Sequence, residues 1–203
     1  MPSLPHYSNA SARKPGFGIL DQKTAQKTAL QEELGWPREA KRPMVCLPAG
    51  MSDALGGKLL QDVLPGLLSL PVEILVLGKG SPEYGAFFTK LAKEHHHRIH
   101  IMADSAADIE KMYCASDMAL FLSEGTPAAD IQHCLAMGAV PVSPEHKLLD
   151  DYNPVQETGN AFTYSMLTKW HCFGALVRAV ETHKFPFDWK TIQRHGIESV
   201  MGK

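Results

Sequence analysis

Short apolar runs alternate with longer segments of helical character along most of this chain. The apolar runs cover residues 44–47, 72–77, 99–102, 118–122 and 139–142, and the stretches between them are long enough for helices. Runs that are apolar throughout are typical of strands buried on both faces of a parallel sheet. The alternation therefore predicts an α/β fold, a Rossmann-like doubly wound parallel sheet with right-handed crossovers.

The remaining segments complete this outline. Helices are predicted at residues 21–34, 53–70, 81–95, 105–114, 127–137, 166–181 and 189–200, and a short sixth strand near 161–163. Residues 1–20 are rich in Pro, Ser and Gly and are predicted to form an N-terminal arm. Residues 21–203 are predicted to form one domain, since the 203 residues and the 44% hydrophobic content suit a single large core.

Composition and charge argue against several classes of partner. The net charge is −2 and the charges are mixed along the chain, which is unlike a nucleic-acid-binding protein. No apolar run approaches the roughly 20 residues needed to span a bilayer, and the N-terminus lacks the apolar core of a secretory signal. We therefore expect a cytoplasmic protein with no nucleic-acid partner and no membrane contact.

The cysteines and histidines do not show the spacing of a metal or redox site. Cys46, Cys114, Cys134 and Cys172 lie far apart, and we expect free thiols, mostly buried. The histidine run at 95–97 follows a helical stretch and has no acidic or thiol partner fixed nearby, which favours a solvated helix end. Neither a metal nor another cofactor is expected.

Two glycine-containing loops follow predicted strands and lead into helices, where doubly wound sheets bind their ligands. In residues 49–57, Gly50 and the glycines after it would let backbone amides approach a phosphate, although the loop matches neither the dinucleotide nor the Walker pattern. Gly78, Lys79 and Gly80 have the same character, and Lys79 could contact an anion. The alternative is that the glycines only make tight turns and the lysine is solvated.

Residues 122–132 carry the most informative pattern. A strand ends in a turn of small residues, and a helix is predicted to start at Pro127. Small side chains would leave the amides open to a phosphate or a sugar, and Glu124 at the mouth could bind a sugar hydroxyl. The alternative is that Ser123 and Thr126 only cap the helix.

Several segments, in this order, resemble the C-terminal half of glycogen and starch synthases, which have the GT-B glycosyltransferase fold. The resemblance extends from about residue 4 to 196 and is carried by residues 4–8, 27–35, 72–80, 113–123, 138–142, 158–162 and 189–196. It implies transfer of glucose from ADP-glucose or UDP-glucose to an α-1,4-glucan, with retained anomeric configuration. It also implies that an N-terminal GT-B half supplies much of the acceptor site.

The loops and the resemblance together define a predicted site. Glu124 is the expected catalytic residue. The expected nucleotide-sugar-binding residues are Gly50, Gly78, Lys79, Gly80, Ser123, Thr126, Ala128, Ala129, Asp130 and Gln132.

Departures from the family pattern leave the function open. Ungapped alignment puts Gly50 and Leu55 where the family carries the Arg and Lys that neutralise the diphosphate, and Asp104 at its adenine-contacting tyrosine. Residues 143–147 replace the family's glycine-rich substrate loop. Three interpretations follow: a donor-binding half that needs an N-terminal partner, a degenerate domain with an assembly or regulatory role, or an unrelated domain for another nucleotide. The first two predict weak nucleotide affinity and no transfer by this chain alone.

Overall fold

A computed structural model describes residues 18–201. Within them the strands are β1 (Met44–Leu47), β2 (Glu73–Leu77), β3 (Ile99–Met102), β4 (Met118–Leu120), β5 (Val140–Pro144) and β6 (Phe162–Tyr164). The helices are α1 (Gly18–Glu33), α2 (Gly57–Ser69), α3 (Pro82–Glu94), α4 (Ala106–Ala115), α5 (Ala128–Ala136), α6 (Lys169–His183) and α7 (Pro186–Met201).

The six strands form one sheet in the order β3-β2-β1-β4-β5-β6, and every neighbouring pair is parallel. This arrangement confirms the predicted α/β, Rossmann-like doubly wound sheet. The chain moves from β1 outward to β2 and β3 and then returns to place β4 on the other side of β1. The gap between β1 and β4 is therefore the switch point, where such sheets bind ligands at their carboxyl edge.

Both faces of the sheet are buried, which explains why the strands are apolar throughout. Along β1, Val45 and Leu47 belong to one apolar cluster, whereas Met44 and Cys46 belong to the other. Residues of α2, α3 and α6 pack into the first cluster, and residues of α4 and α5 pack into the second. Side chains that alternate between two covered faces need no polar positions.

Helix α1 crosses the amino edge of the sheet and buries a polar face. Its contacts run from one end to the other: Lys23 donates to the carbonyls of Tyr113 and Met137 at 2.9 and 3.1 Å, Lys27 to Asp117 at 2.7 Å, and Gln31 to Glu73 at 2.8 Å. Asp117 and Glu73 lie at the amino ends of β4 and β2. The spacing of four residues puts these three donors on one helix face.

Two predicted boundaries at the N-terminal side are corrected. Residues 18–20, which were assigned to the arm, belong to α1. Residues 1–17, with the lead-in segment 4–8 that carried part of the resemblance, lie outside the described residues. The predicted helix 53–70 is divided into a 3₁₀ turn at Asp53–Leu55 and α2, because Gly56 between them adopts a left-handed φ of +84°. A Cβ at Gly56 would lie 2.5 Å from the carbonyl oxygen of Leu122. The close contact between Gly56 and the segment that follows β4 therefore requires a glycine at the point where the helix is interrupted.

Corrections in the second half of the chain are smaller. Ser143 and Pro144, expected in a loop, are the last residues of β5 and are buried, so the loop begins at Glu145. Helix α6 begins three residues later than predicted, at Lys169, and α7 begins three residues earlier, at Pro186. The other predicted ends differ from the observed ones by at most two residues, as at β4, which ends at Leu120 and not at residue 122.

The prediction of free thiols is confirmed. Cys46, Cys134 and Cys172 are buried, Cys114 is half-buried, and all four are unbridged. Burial raises the pKa of Cys46 to about 12, which keeps the thiol protonated at neutral pH. Between residues 18 and 201, none of the helices has both the length and the apolar character needed to cross a membrane.

Candidate functional site

The loops after β1 and β2 are joined by their backbones at the carboxyl edge of the sheet. The Met51 amide donates to the carbonyl of Lys79 at 2.7 Å, and the Ser81 amide donates to the carbonyl of Met51 at 2.9 Å. Met51 and Gly80 form a short parallel bridge. The structure thus brings Gly50, Lys79 and Gly80 together, as the sequence suggested, because β1 and β2 are neighbours.

The glycines of these two loops are explained by the contact between the loops. Gly50 has a φ of +78°, and an added Cβ would lie 2.5 Å from the carbonyl oxygen of Lys79. Gly80 has a φ of +136°, and its Cβ would overlap the carbonyl oxygen of Met51. A Cβ on Gly78 would lie 2.9 Å from the carbonyl oxygen of Met102. The tight-turn alternative accounts for all three glycines, and their contact with a ligand stays a prediction.

A buried tyrosine of α3, which the sequence analysis did not single out, packs against the loop after β1. The Tyr84 hydroxyl on α3 donates to the carboxylate of Asp53, and its ring lies where a side chain on Gly57 would be. This hydrogen bond, with burial and the nearby charge, raises the pKa of Tyr84 to about 12. The entry into α2 is therefore fixed by a side chain from the next helix, a contact with no local sequence signal.

The loop after β4 forms a turn stabilised by its own hydroxyl groups. The Ser123 hydroxyl donates to the carbonyl of Ala54 at 3.2 Å and accepts from the Gly125 amide at 3.2 Å. The Thr126 hydroxyl donates to the carbonyl of Ser123 at 2.7 Å. Neither hydroxyl caps α5, so the capping alternative is wrong. Pro127 is the N-cap, and the helix begins one residue later than predicted, at Ala128.

The N-terminus of α5 lies open beside an exposed carboxylate. No side chain caps the helix, and Ala128 and Ala129 occupy its first turn. Amides at a helix N-terminus carry partial positive charge and bind anions. Glu124 is exposed, with no hydrogen bond or ion pair to any residue in the described part of the chain. The arrangement can accept a phosphate at the amides and a sugar hydroxyl at the carboxylate.

Two further predicted site residues lie on α5 with different surroundings. Gln132 is exposed one turn beyond Ala128, on the same side of the helix. Asp130 is half-buried and lies near Tyr113 of α4. Burial is the main reason that the pKa of Tyr113 is raised, and the Asp130 carboxylate adds to the effect. Of the two, Gln132 is the more accessible to a ligand.

The fold also decides whether Gly50 and Leu55, the positions at which the resemblance implies Arg and Lys, could hold such side chains. Gly50 cannot take a long side chain without displacing the Lys79 carbonyl. Leu55 is half-buried in the 3₁₀ turn and, unlike Gly50, has no positive φ that would oppose a side chain. Two exposed lysines lie on the flanking segments, Lys79 after β2 and Lys58 in the first turn of α2, and neither forms an ion pair with residues 18–201. Sequence reasoning missed Lys58, although its place three residues after Leu55 was a usable signal.

The predicted site residues line neither of the two main cavities of the described chain. A cavity of about 500 Å³ lies at the carboxyl ends of β5 and β6 and is lined in part by Glu145, His146 and Lys147, from the segment that replaces the family's substrate loop. The larger cavity, about 900 Å³, lies at the amino edge. We place the candidate site at the carboxyl edge nevertheless, because the topology puts the open helix N-terminus and the switch point there. Lys79, Glu124 and Ala129 are exposed at this edge.

Comparison with known proteins supports the Rossmann-like fold described above. No protein-family model matches the chain. A glycogen synthase from Streptococcus equi subsp. equi (strain 4047) is 31% identical over 188 residues, which cover 88% of this chain and 39% of that relative. The catalytic domain of starch synthase IV from Arabidopsis thaliana, solved with ADP and acarbose, has a TM-score of 0.71 at 19% identity and covers 92% of this chain and 41% of that one.

A third similar structure is that of a C-terminal domain alone. The C-terminal domain of a group 1 glycosyl transferase from Francisella tularensis has a TM-score of 0.65 at 13% identity, covering 89% of this chain and 92% of that chain. With the parallel six-stranded sheet and its switch point, these similarities define the class of protein: a Rossmann-like domain of the GT-B glycosyltransferase type. Within that class the chain is a divergent homologue of the C-terminal part of bacterial glycogen synthases, spanning about two fifths of the length of the relatives it matches.

Proposed function

We propose that this chain is the donor-binding half of a glycogen-synthase-like glycosyltransferase that acts in the cytoplasm in glycogen biosynthesis. It would bind ADP-glucose or UDP-glucose in the crevice between the loops after β1 and β4. An N-terminal GT-B half would complete the cleft and hold the α-glucan acceptor. The observation that carries the proposal is the uncapped N-terminus of α5 beside exposed Glu124, at the switch point of a glycogen synthase homologue.

Each group has a defined task in this proposal. The amides of Ala128 and Ala129 would bind the diphosphate, and Glu124 would accept hydrogen bonds from the sugar hydroxyls. The departing diphosphate needs positive charge, which preorganised donors and cations supply in transferases of this kind. Lys58 and Lys79, both exposed and without an ion pair among residues 18–201, are the nearest candidates along the chain. ADP bound to the starch synthase relative supports an adenine nucleotide.

A second candidate function is a degenerate domain that serves assembly or regulation without transfer. The specific observation is that positions 50 and 55, where the resemblance implies the two diphosphate-binding cations, are Gly and Leu. Each charge-assisted contact contributes roughly 1.5–3 kcal/mol, so the loss of two predicts millimolar or undetectable donor binding. Backbone crowding at Gly50 makes the first loss hard to reverse.

Calorimetric titration of the full chain with ADP-glucose and UDP-glucose separates the two functions. Measurable binding that weakens about tenfold in Ala128→Pro supports the donor site, since proline removes one amide at a helix position that tolerates it. Ala106→Pro, the same change at the first residue of α4, is the matched control and should leave the affinity unchanged. Absence of binding to either nucleotide sugar favours the degenerate domain.

A second set of variants tests the source of positive charge. Leu55→Lys restores one family cation and should raise donor affinity about tenfold, as one charge-assisted contact permits. Lys58→Gln and Lys79→Gln should lower it, whereas Lys93→Gln, which removes an exposed charge from the far end of α3, should not. Equal losses in all three lysine variants would contradict specific contacts and indicate a general effect of net charge.

A further inference from the structure

A cavity lies at the amino edge of the sheet, opposite the proposed donor site. Its volume is about 900 Å³, within the range of pockets that enclose small organic ligands. Walls are contributed by α1, the segment before β1, the end of α6 and the beginning of α7. None of the groups assigned to the donor site lines it. The cavity is therefore a separate feature that the proposed function leaves unexplained.

Basic residues outnumber acidic residues in the lining by six to two. The basic residues are Lys23, Lys27, Lys41, Arg42, Lys184 and Lys190, and the acidic ones are Glu39 and Asp117. Both carboxylates are already engaged, Asp117 by Lys27 at 2.7 Å and Glu39 by Arg42 at 3.2 Å. Lys41 and Lys190 are exposed and form no ion pair with residues 18–201. The cavity thus has positive charge without a matching anion from the described chain.

Two buried residues of the cavity lining, Lys23 and Trp189, carry further hydrogen-bond donors. The Lys23 side chain is 6% exposed, and its ammonium has two carbonyl partners but no hydrogen-bonded carboxylate. Burial lowers the pKa of Lys23, and Asp117 offsets this only in part. The indole N–H of Trp189, a buried lining residue, has no hydrogen-bond acceptor within the described chain. Of the described residues that line the cavity, the one buried side-chain group without a hydrogen-bond partner is thus a donor, and the buried ammonium beside it carries positive charge, so an anion with acceptor oxygens suits the site.

Apolar groups complete the walls. Leu20, Val180 and Trp189 line the cavity together with the prolines Pro43, Pro71 and Pro186. A bare inorganic ion would leave these surfaces uncovered, whereas an anion with a carbon skeleton would bury them. The chain's own residues 1–17 are a poor match for the charge, since they contain Arg13 and Lys14 and no acidic residue.

We propose that this cavity binds a small organic phosphate, a phosphomonoester whose dianion is held by Lys41, Arg42 and Lys190 and whose carbon skeleton lies against Trp189. A dianion matches the two cations that lack an ion pair, with Arg42 as an additional donor, better than a single carboxylate does. The site is on the opposite edge of the sheet from the donor crevice, so the inference does not depend on donor binding.

The test uses phenyl phosphate as the probe, with inorganic phosphate and phenol as its two halves. Binding to the full chain is followed by amide and indole N–H chemical shifts. We expect phenyl phosphate to bind with a Kd near or below about 1 mM, and at least about tenfold more tightly than either half. The indole resonance of Trp189 and amides near residues 41–43 should shift, and the affinity should fall as salt is added.

Charge removal supplies the decisive comparison. Lys41→Gln/Lys190→Gln should weaken phenyl phosphate binding at least about tenfold, whereas Lys90→Gln/Lys93→Gln, which removes two exposed charges from α3, should change it less than about twofold. Urea unfolding of both variants shows that each is folded. No binding at about 10 mM probe, equal losses in the two variants, or shifts confined to residues 123–129 would each overturn the proposal.

Discussion

At the scale of single residues, the conformations of two glycines determine what the candidate site can become. Gly50 and Gly80 have positive φ angles, and each lies against the backbone of the other loop. Side chains are excluded there by geometry, so the arginine that the resemblance implies at the Gly50 position does not fit this loop arrangement. Lys58, three residues beyond Leu55, is the residue through which the chain could have recovered charge.

Gly80→Ala should destabilise the fold by about 1–3 kcal/mol, because alanine resists a φ of +136° and its Cβ would overlap the Met51 carbonyl. Gly174→Ala is the control: this glycine lies in α6 with no atom within 4 Å of the added Cβ, so alanine should stabilise by about 0.5–1 kcal/mol. Urea unfolding measures both. A Gly80→Ala variant as stable as the parent would contradict the close loop contact.

At the scale of elements, α1 is held by ion pairs and hydrogen bonds more than by apolar packing. Asp117, just before β4, accepts from Lys27 at 2.7 Å and from the Met44 amide at 2.8 Å, and it lies 3.3 Å from His183 of α6. One carboxylate therefore joins α1, β1 and α6 to the start of β4. Such a buried pair is costly to break, since the remaining carboxylate keeps only the Met44 amide and His183 and loses its ammonium partner.

Lys27→Met should destabilise the protein by about 3 kcal/mol, since it leaves the buried Asp117 carboxylate without its ammonium partner. Lys111→Met removes the same kind of group from an ion pair with Glu33 in which both side chains are largely exposed, and it should cost less than about 1 kcal/mol. Denaturant titration at neutral pH compares them. Equal losses of unfolding free energy in the two variants would show that the burial of the Lys27–Asp117 ion pair contributes nothing to stability.

Acid stability follows from the same carboxylate. Burial alone would raise the pKa of Asp117, but Lys27 and His183 together lower it from 3.8 to about 2. A group whose pKa is depressed on folding stabilises the native state above its unfolded pKa and loses that effect as the pH falls through the folded pKa. Between about pH 5 and pH 2.5 the protonation of this group should lower the stability of the fold by on the order of 1–2 kcal/mol.

Comparison of stability slopes over that pH range isolates the contribution of Asp117. Asp117→Asn should lose less stability with acid than the parent, although it starts from a lower value, because no carboxylate remains to be protonated there. Asp62→Asn, at an exposed site on α2, should keep the parent's slope. An unchanged slope in Asp117→Asn would mean that the folded carboxylate titrates like an unfolded one.

At the scale of the whole molecule, the sheet presents an open edge. The loops after β1, β2 and β4 meet at its carboxyl side, and the matched relatives are longer, since this chain covers 39% of the Streptococcus glycogen synthase. The proposed donor crevice is correspondingly exposed. Transfer requires an acceptor held against the donor, and proximity of the two accounts for much of the acceleration in such reactions.

The chain alone should therefore transfer no glucose from ADP-glucose or UDP-glucose to a glucan primer. Incorporation of labelled glucose into precipitated glucan measures this, with an intact glycogen synthase of known activity as the positive control. Glucan elongation by the purified chain at a rate near that of the control would contradict the need for an N-terminal half.

The sequence determined the order and the type of the elements, because strands buried on both faces must be apolar and the helices between them must be long enough to cross over. It also indicated the loops at the carboxyl edge and, through ordered motifs, the glycosyltransferase resemblance. Some elements begin or end away from their predicted positions because contacts between distant residues set those ends. At Gly56 the predicted helix is interrupted, because the Leu122 backbone approaches it there.

Only the tertiary structure decided what the polar and glycine residues do. Gly50 and Gly80 are recognised as packing residues only when the two loops are seen together, and Ser123 is seen to stabilise a turn and not a helix end. Lys23 and Lys27 have the composition of a solvated helix face, yet they are buried across the amino edge. Their partners Tyr113, Asp117 and Met137 are 90 or more residues away in the chain, and local pattern carries no information about contacts made at that separation.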